Sequence, residues 1–222
     1  MFQTIVKIFL LVIITAAITP FIRKLAFVLG AVDNPNARRI NKKPMPTIGG
    51  LAIFVAFNIG EFVLLRKDFP THELFSVLLA SSVIILTGLI DDILELKPRQ
   101  KMFGIFIASL VVYFLAGIKV RELSLPLLGH LQLGWWSFPL TIFWILALTN
   151  AVNLIDGLDG LATGVTLISL VTMGIVGFFF LKSWQHYVPI MCIMLAACLL
   201  GFLPYNFHPA KIFLQVHCIL AL

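Results

Sequence analysis

Charge is scarce in this chain: sixteen Lys and Arg and ten Asp and Glu make up 12% of 222 residues. Soluble domains carry about 25% charged and about 45–50% apolar residues. Here 60% of residues are hydrophobic and the mean hydropathy is +1.05, which excludes a water-soluble globular domain. Cysteine is also thin. Cys192 and Cys198 lie six apart within an apolar run and Cys218 follows. That spacing matches no common zinc motif, and packed thiols are the expectation. Internal repeats, low-complexity tracts and long polar segments are missing too. The first apolar run contains Lys7 and no small-residue cleavage site followed by a soluble domain, so it reads as a retained span rather than a signal peptide.

What is present is a series of apolar blocks, each about as long as a helix needs to cross a hydrocarbon core. They fall at roughly 4–22, 49–65, 74–90, 102–118, 137–152, 160–181 and 187–203. The expected fold is an all-α, polytopic transmembrane helix bundle of about seven spans. Arg23, Lys24, Arg38, Arg39, Lys42, Lys43, Lys97, Arg99, Lys101 and Lys211 fall on one side of these spans, and Arg66, Lys67, Lys119, Arg121 and Lys182 on the other. The positive-inside rule then places the N-terminus outside and the ten-cation side in the cytoplasm. The net charge of +6 is explained by orientation and anionic headgroups rather than by a nucleic-acid partner. On the outer side, Leu123–Trp136 alternates apolar residues with Pro126, Gly129 and Gly134. It reads as a small hairpin at the membrane interface, anchored by Trp135 and Trp136.

Four polar clusters share the cytoplasmic side. In Gly88-Leu-Ile-Asp91-Asp92, two adjacent carboxylates at the end of an apolar run repel each other and favour a divalent cation. Mg²⁺ typically takes one or two carboxylates plus substrate phosphates. On a helix Asp91 and Glu95 share a face while Asp92 points about 100° away. Taken alone, the pair equally describes a helix ending in water. The segment Asn150-Ala-Val-Asn153-Leu-Ile-Asp156-Gly157-Leu158-Asp159-Gly160 places amides and carboxylates three and four apart. Continued as a helix, this would put Asn153, Asp156 and Gly160 on one face, with Asp156 and Asp159 also together. Such a set suits a nucleobase, a sugar or a metal. The first loop, Val32 to Gly50, is stiffened by Pro35, Pro44 and Pro46. Its Arg38, Arg39, Lys42 and Lys43 meet phosphates or merely mark topology, and Gly49-Gly50 permits tight packing. In Pro204-Tyr-Asn206-Phe-His208-Pro209-Ala-Lys211, His208 has no partner visible in the sequence and reads locally as a loop residue.

Together these motifs resemble the polyprenyl-phosphate N-acetylhexosamine-1-phosphate transferases, the glycosyltransferase 4 family, over about residues 20–214. The resemblance implies transfer of a sugar-1-phosphate from a UDP-N-acetylhexosamine to undecaprenyl phosphate at the cytoplasmic face of a bacterial plasma membrane. UMP is released, and the product starts a cell-wall polymer such as teichoic acid. The Pro44-Met-Pro46 form is similar to the branch that uses UDP-N-acetylglucosamine. The implied cofactor is Mg²⁺, with Mn²⁺ as a substitute, held by Asp91, Asp92 and Asp156. The implied catalytic residues are the same three, and the implied substrate-binding residues are Asn153, Asp159, Arg38, Lys43, Lys211 and His208. The lipid bilayer is the setting, and a homodimer is compatible with the family.

Two departures stand out. Asn41 occupies a position where the family often has His. After Leu214 the family continues into a Gly-Asp-x-Gly motif and further spans, whereas this chain reads Gln215 to Leu222. The expectation is a membrane domain over 1–214, followed by an aberrant tail over 215–222 produced by a shifted reading frame. A truncated, inactive membrane fragment is therefore the second reading. A transporter is the third, disfavoured because its carboxylates belong near the bilayer midplane, often with an inverted repeat.

Overall fold

A computed structural model of the chain describes residues 2–33, 44–64, 66, 71–94, 96–125, 129–180 and 187–214. Among them are seven α-helices: α1 (Phe2–Leu29), α2 (Gly49–Ile59), α3 (Thr71–Leu94), α4 (Pro98–Phe114), α5 (Ser137–Ile155), α6 (Leu161–Phe180) and α7 (Tyr187–Asn206). They coincide one for one with the seven apolar blocks. Five of them, α1, α3, α5, α6 and α7, are long and apolar enough to cross a membrane. α2, extended by a π-helical turn over Gly60–Leu64, and the 17-residue α4 are shorter. The chain is thus an all-helical polytopic membrane bundle.

These sequences become helices because in lipid every backbone N–H and C=O needs a partner within the segment. The buried hydroxyls follow the same rule. Thr15 and Thr19 donate to Leu11 and Thr15 carbonyls, and Ser81, Thr141 and Thr149 donate to the carbonyls of Val77, Ser137 and Ile145, each four residues back. Lys7, Arg23 and Lys24 do not stop α1. It continues past residue 22 to Leu29 and ends at Gly30, whose φ of 73° closes the helix. Arg23 and Lys24 therefore belong to its last turns rather than to a loop.

α7 is the central element and packs against α1, α6 and α2. α3, α4 and α5 form a second series, joined to the first through α2 and α6. The main core is built from Leu11, Ile53, Phe57, Met194, Leu199 and Phe202, all essentially buried. α1 and α7 approach so closely at Gly201 that a Cβ there would collide with the Val12 carbonyl oxygen. Small residues at crossings allow this kind of van der Waals packing where lipid supplies no hydrophobic drive. Cys198 is buried in this core and Cys192 half-buried, as packed thiols would be, while Cys218 lies outside the described residues.

Two short antiparallel ribbons complete the structure. β1 (Val32–Asp33) pairs with β2 (Met45–Pro46), Val32 opposite Pro46. β3 (Glu122–Leu125) pairs with β4 (Gly129–Gln132), Glu122 opposite Gln132. The second is the hairpin expected from its alternation, and the first was not anticipated. Trp135 and Trp136, which follow β4, are 97% and 74% exposed.

Candidate active site

Asp91 and Asp92 sit in the last turn of α3. Asp91 Oδ1 accepts the Leu96 N–H at 3.1 Å, and its Oδ2 pairs with Lys101 Nζ at 3.3 Å. The chain turns at Lys97, whose N–H is taken by the Gln100 side chain, and Pro98 opens α4. That turn is what returns Lys101 to Asp91. Asp92 faces inward instead. The Thr47 hydroxyl lies against its carboxyl group. Its Oδ1 is buried without a hydrogen-bond partner among the described residues.

The third cluster departs from the helical reading. α5 ends at Ile155, and Asp156 caps it with φ −78° and ψ 24°. Residues 156–160 form a turn in which Gly160 takes φ 72°. Asn153 is thus the last site residue on the helix, and the expected common helical face of Asn153, Asp156, Asp159 and Gly160 is not formed. The reason is local: glycine at 157 and 160 lowers helix propensity, and a left-handed position suits glycine. Gly157 is open, whereas Gly160 lies against Phe207.

The turn aims Asp159 at the fourth cluster. Asp159 Oδ2 meets His208 Nδ1 at 2.9 Å and accepts the Ala210 N–H at 3.1 Å. His208 therefore has a partner, contrary to the loop reading. The signal was invisible locally because the two residues are 49 apart. Asn206, quoted in the motif but given no role, is buried and bridges elements. It accepts the Thr163 hydroxyl at 2.6 Å and donates to the Ile212 carbonyl at 3.1 Å. Lys211 stays exposed, its N–H bonded to the Tyr205 carbonyl.

Further contacts join the clusters into a ring. Phe213 N–H bonds to Pro46, and Gly49 and Gly50 N–H bond to the carbonyls of Phe213 and Leu214. A Cβ at Gly49 would collide with the Phe213 carbonyl and the Phe202 ring. Thr47, which also donates to Ala31 O at 3.0 Å, carries the first loop to Asp92. Asn150 at the end of α5 donates to Met102 Sδ at 3.2 Å, beside Lys101. The first motif thus touches the second, the second the third, the third the fourth, and the fourth the first. Arg38, Lys43 and Asn41 lie outside the described residues, as do Glu95 and 215–222.

Among the described residues no three His, Cys, Asp or Glu side chains form a ready metal cluster. Asp91, Asp92 and Asp156 do not close into one three-ligand set. The donor chemistry still fits a hard divalent cation that keeps positions for phosphates. Asp92 offers a buried oxygen without a partner, and Asp91 stands next to it with a lysine as its present counter-charge.

Residues 74–214 match the glycosyl transferase family 4 model. The chain is 38% identical over 198 residues to a probable undecaprenyl-phosphate N-acetylglucosaminyl 1-phosphate transferase of Bacillus subtilis (strain 168), covering 89% of this chain and 54% of that protein. It is 35% identical to a phospho-N-acetylmuramoyl-pentapeptide-transferase of Clostridium botulinum, covering 88% and 62%. It is 34% identical to a decaprenyl-phosphate N-acetylglucosaminephosphotransferase of Mycolicibacterium smegmatis, covering 91% and 53%. The chain spans about half to three-fifths of the length of these relatives. With more than half of its residues inside the family model and its four polar motifs joined in one ring, the chain belongs to glycosyl transferase family 4.

Proposed function

We propose that the protein transfers N-acetylhexosamine-1-phosphate, in the first instance N-acetylglucosamine-1-phosphate, from a UDP-sugar to undecaprenyl phosphate. An oxygen of the lipid phosphate forms a bond to the sugar-bearing phosphorus of the donor. The bridging bond to the uridine-bearing phosphate breaks, and UMP leaves with that bridging oxygen. The observation that carries this reading is the ring of contacts, which holds two carboxylates, a buried unpartnered oxygen and an Asp–His pair at one end of an apolar bundle. A lipid phosphate at the bilayer surface and a nucleotide from water meet at such an end. The relatives' names, which pair a polyprenyl phosphate or a phospho-sugar with transferase activity, support the same class.

In this reading Asp91, Asp92 and Asp156 hold Mg²⁺, which supplies neutralisation of the charge between an anionic acceptor and a diphosphate. Asn153 and Asp159 bind the uridine and sugar side. Arg38, Lys43, His208 and Lys211 steady phosphates. The lipid phosphate has a second pKa of about 6, so much of it is already dianionic and a strong base is not required. The active end faces the cytoplasm of a bacterial plasma membrane, in accord with the lysine and arginine distribution.

The test is UMP release by the protein in membranes, given undecaprenyl phosphate and labelled UDP-N-acetylglucosamine. Label should enter the lipid fraction, stop on chelation and resume with added Mg²⁺. Release of UMP without lipid labelling, or labelling indifferent to chelation, would overturn the assignment of acceptor or of metal respectively.

A further inference from the structure

At the opposite end of α5 from Asp156, a cavity of about 320 Å³ lies between the hairpin, the end of α4 and the start of α5. Its walls are built rather than accidental. Leu133 N–H bonds to the Arg121 carbonyl at the hairpin base, and Val120 N–H bonds to Thr141 Oγ1 on α5. Lys119 lines the cavity and is held 4.5 Å from the centre of the Tyr113 ring. Arg121 is the second cation, and Glu122 and Gln132, paired across the hairpin, supply one carboxylate and one amide. Ser137 completes the lining. It is 5% exposed, and its hydroxyl has no hydrogen-bond partner among the described residues. Gly134 and Ser137 mark the N-terminal end of α5, where the helix dipole is positive.

The surroundings say where this cavity sits. Trp135 and Trp136 stand almost fully out of the protein beside it, and Phe114 and Ile118 are 67% and 56% exposed at the α4 end. Indole rings collect at the headgroup level of bilayers, and apolar side chains below them meet acyl chains. A pocket with two cations, a helix N-terminus and an unpartnered hydroxyl at that level is complementary to a phosphodiester. The geometry points to a headgroup site for a bilayer glycerophospholipid. Its phosphate lies on Lys119, Arg121 and Ser137, its headgroup hydroxyl or amine meets Glu122 and Gln132, and its acyl chains run along Phe114 and Ile118. This site is separate from the proposed transferase centre and does not depend on it.

Native mass spectrometry of the full chain in detergent with added phosphatidylglycerol tests the site. The wild type should retain the phospholipid, and Lys119→Gln/Arg121→Gln should lower its retention about tenfold, the loss of roughly one charge-assisted contact. Arg23→Gln, on α1, should leave it unchanged. Ser137→Ala removes a hydroxyl that holds nothing in the fold and should lower retention several-fold. It decides the matter if circular dichroism shows the double variant to be misfolded. Retention that is equal in wild type, the double variant and Ser137→Ala overturns the site. Diacylglycerol retained as well as phosphatidylglycerol overturns the phosphate assignment. Displacement of the lipid by an equal concentration of inorganic phosphate reassigns the pocket to a free phosphate and overturns the lipid.

Discussion

Two carboxyl groups with buried, unpartnered oxygens set the residue-scale problem. Asp92 has one such oxygen and Glu61, in the π-helical turn after α2, has two, all without hydrogen-bond partners among the described residues. A buried acceptor left unpaired costs about 1–3 kcal/mol, so each needs a reason to persist. For Asp92 the reason is its place beside Asp91, where a divalent cation offsets the cost. On the proposed reaction, Asp92→Asn should lower UMP release by roughly 100-fold with helix content unchanged by circular dichroism. Wild-type turnover would remove Asp92 from the site. Glu61 is fully buried near Cys198 and Thr15, and no feature of the proposed reaction uses it. Glu61→Leu should therefore raise stability by about 1–3 kcal/mol, read as a higher thermal midpoint in detergent. A lower midpoint would show that the carboxyl is engaged. The adjacent Asp91-Asp92 pair was legible as chemistry because two acids rarely end an apolar run without cause. The His208–Asp159 contact was not, since only the chain's return brings residues 49 apart within 2.9 Å.

At the scale of elements, hydropathy was a good guide to where helices lie and a poor one to where they end. All seven blocks became helices, yet α1 runs through Arg23 and Lys24 while α5 stops at Ile155. Long basic side chains tolerate a helix end at the interface, whereas glycine ends one. The β1–β2 ribbon escaped notice because two residues per strand carry no periodicity. Its effect is large, since Pro46, Thr47 and Gly49 then dock the start of α2 onto the end of the chain's described part. Gly49→Ala should strike this joint, because the new methyl meets backbone at Phe213 and the Phe202 ring. The expected result is a fall in thermal midpoint together with loss of transfer. Thr163→Val tests the neighbouring joint. It leaves the buried Asn206 amide oxygen without its 2.6 Å donor, a cost of about 1–3 kcal/mol, and should lower the thermal midpoint in detergent.

For the whole molecule, topology and site are one question. The proposed cytoplasmic end holds Leu158 in the α5–α6 turn, and the hairpin end holds Gly134. In a background lacking native cysteines, Gly134→Cys in intact cells should react with a membrane-impermeant maleimide. Leu158→Cys should react only after permeabilisation. The opposite pattern would invert the orientation, and labelling of both from one side would rule out α5 as a membrane-crossing helix.

The sequence by itself determined the solvent of this protein, the number of its helices and the family to which it belongs. Apolar length, charge placement and four short motifs are local properties that a chain carries before it folds. Only the tertiary structure decided which motif touches which. It placed Thr47 on Asp92, Lys101 on Asp91 and His208 on Asp159, and it broke the expected helical face at Asp156. Those outcomes depend on how helices cross and on where glycine lets the backbone turn, and neither is encoded in the spacing of any single motif.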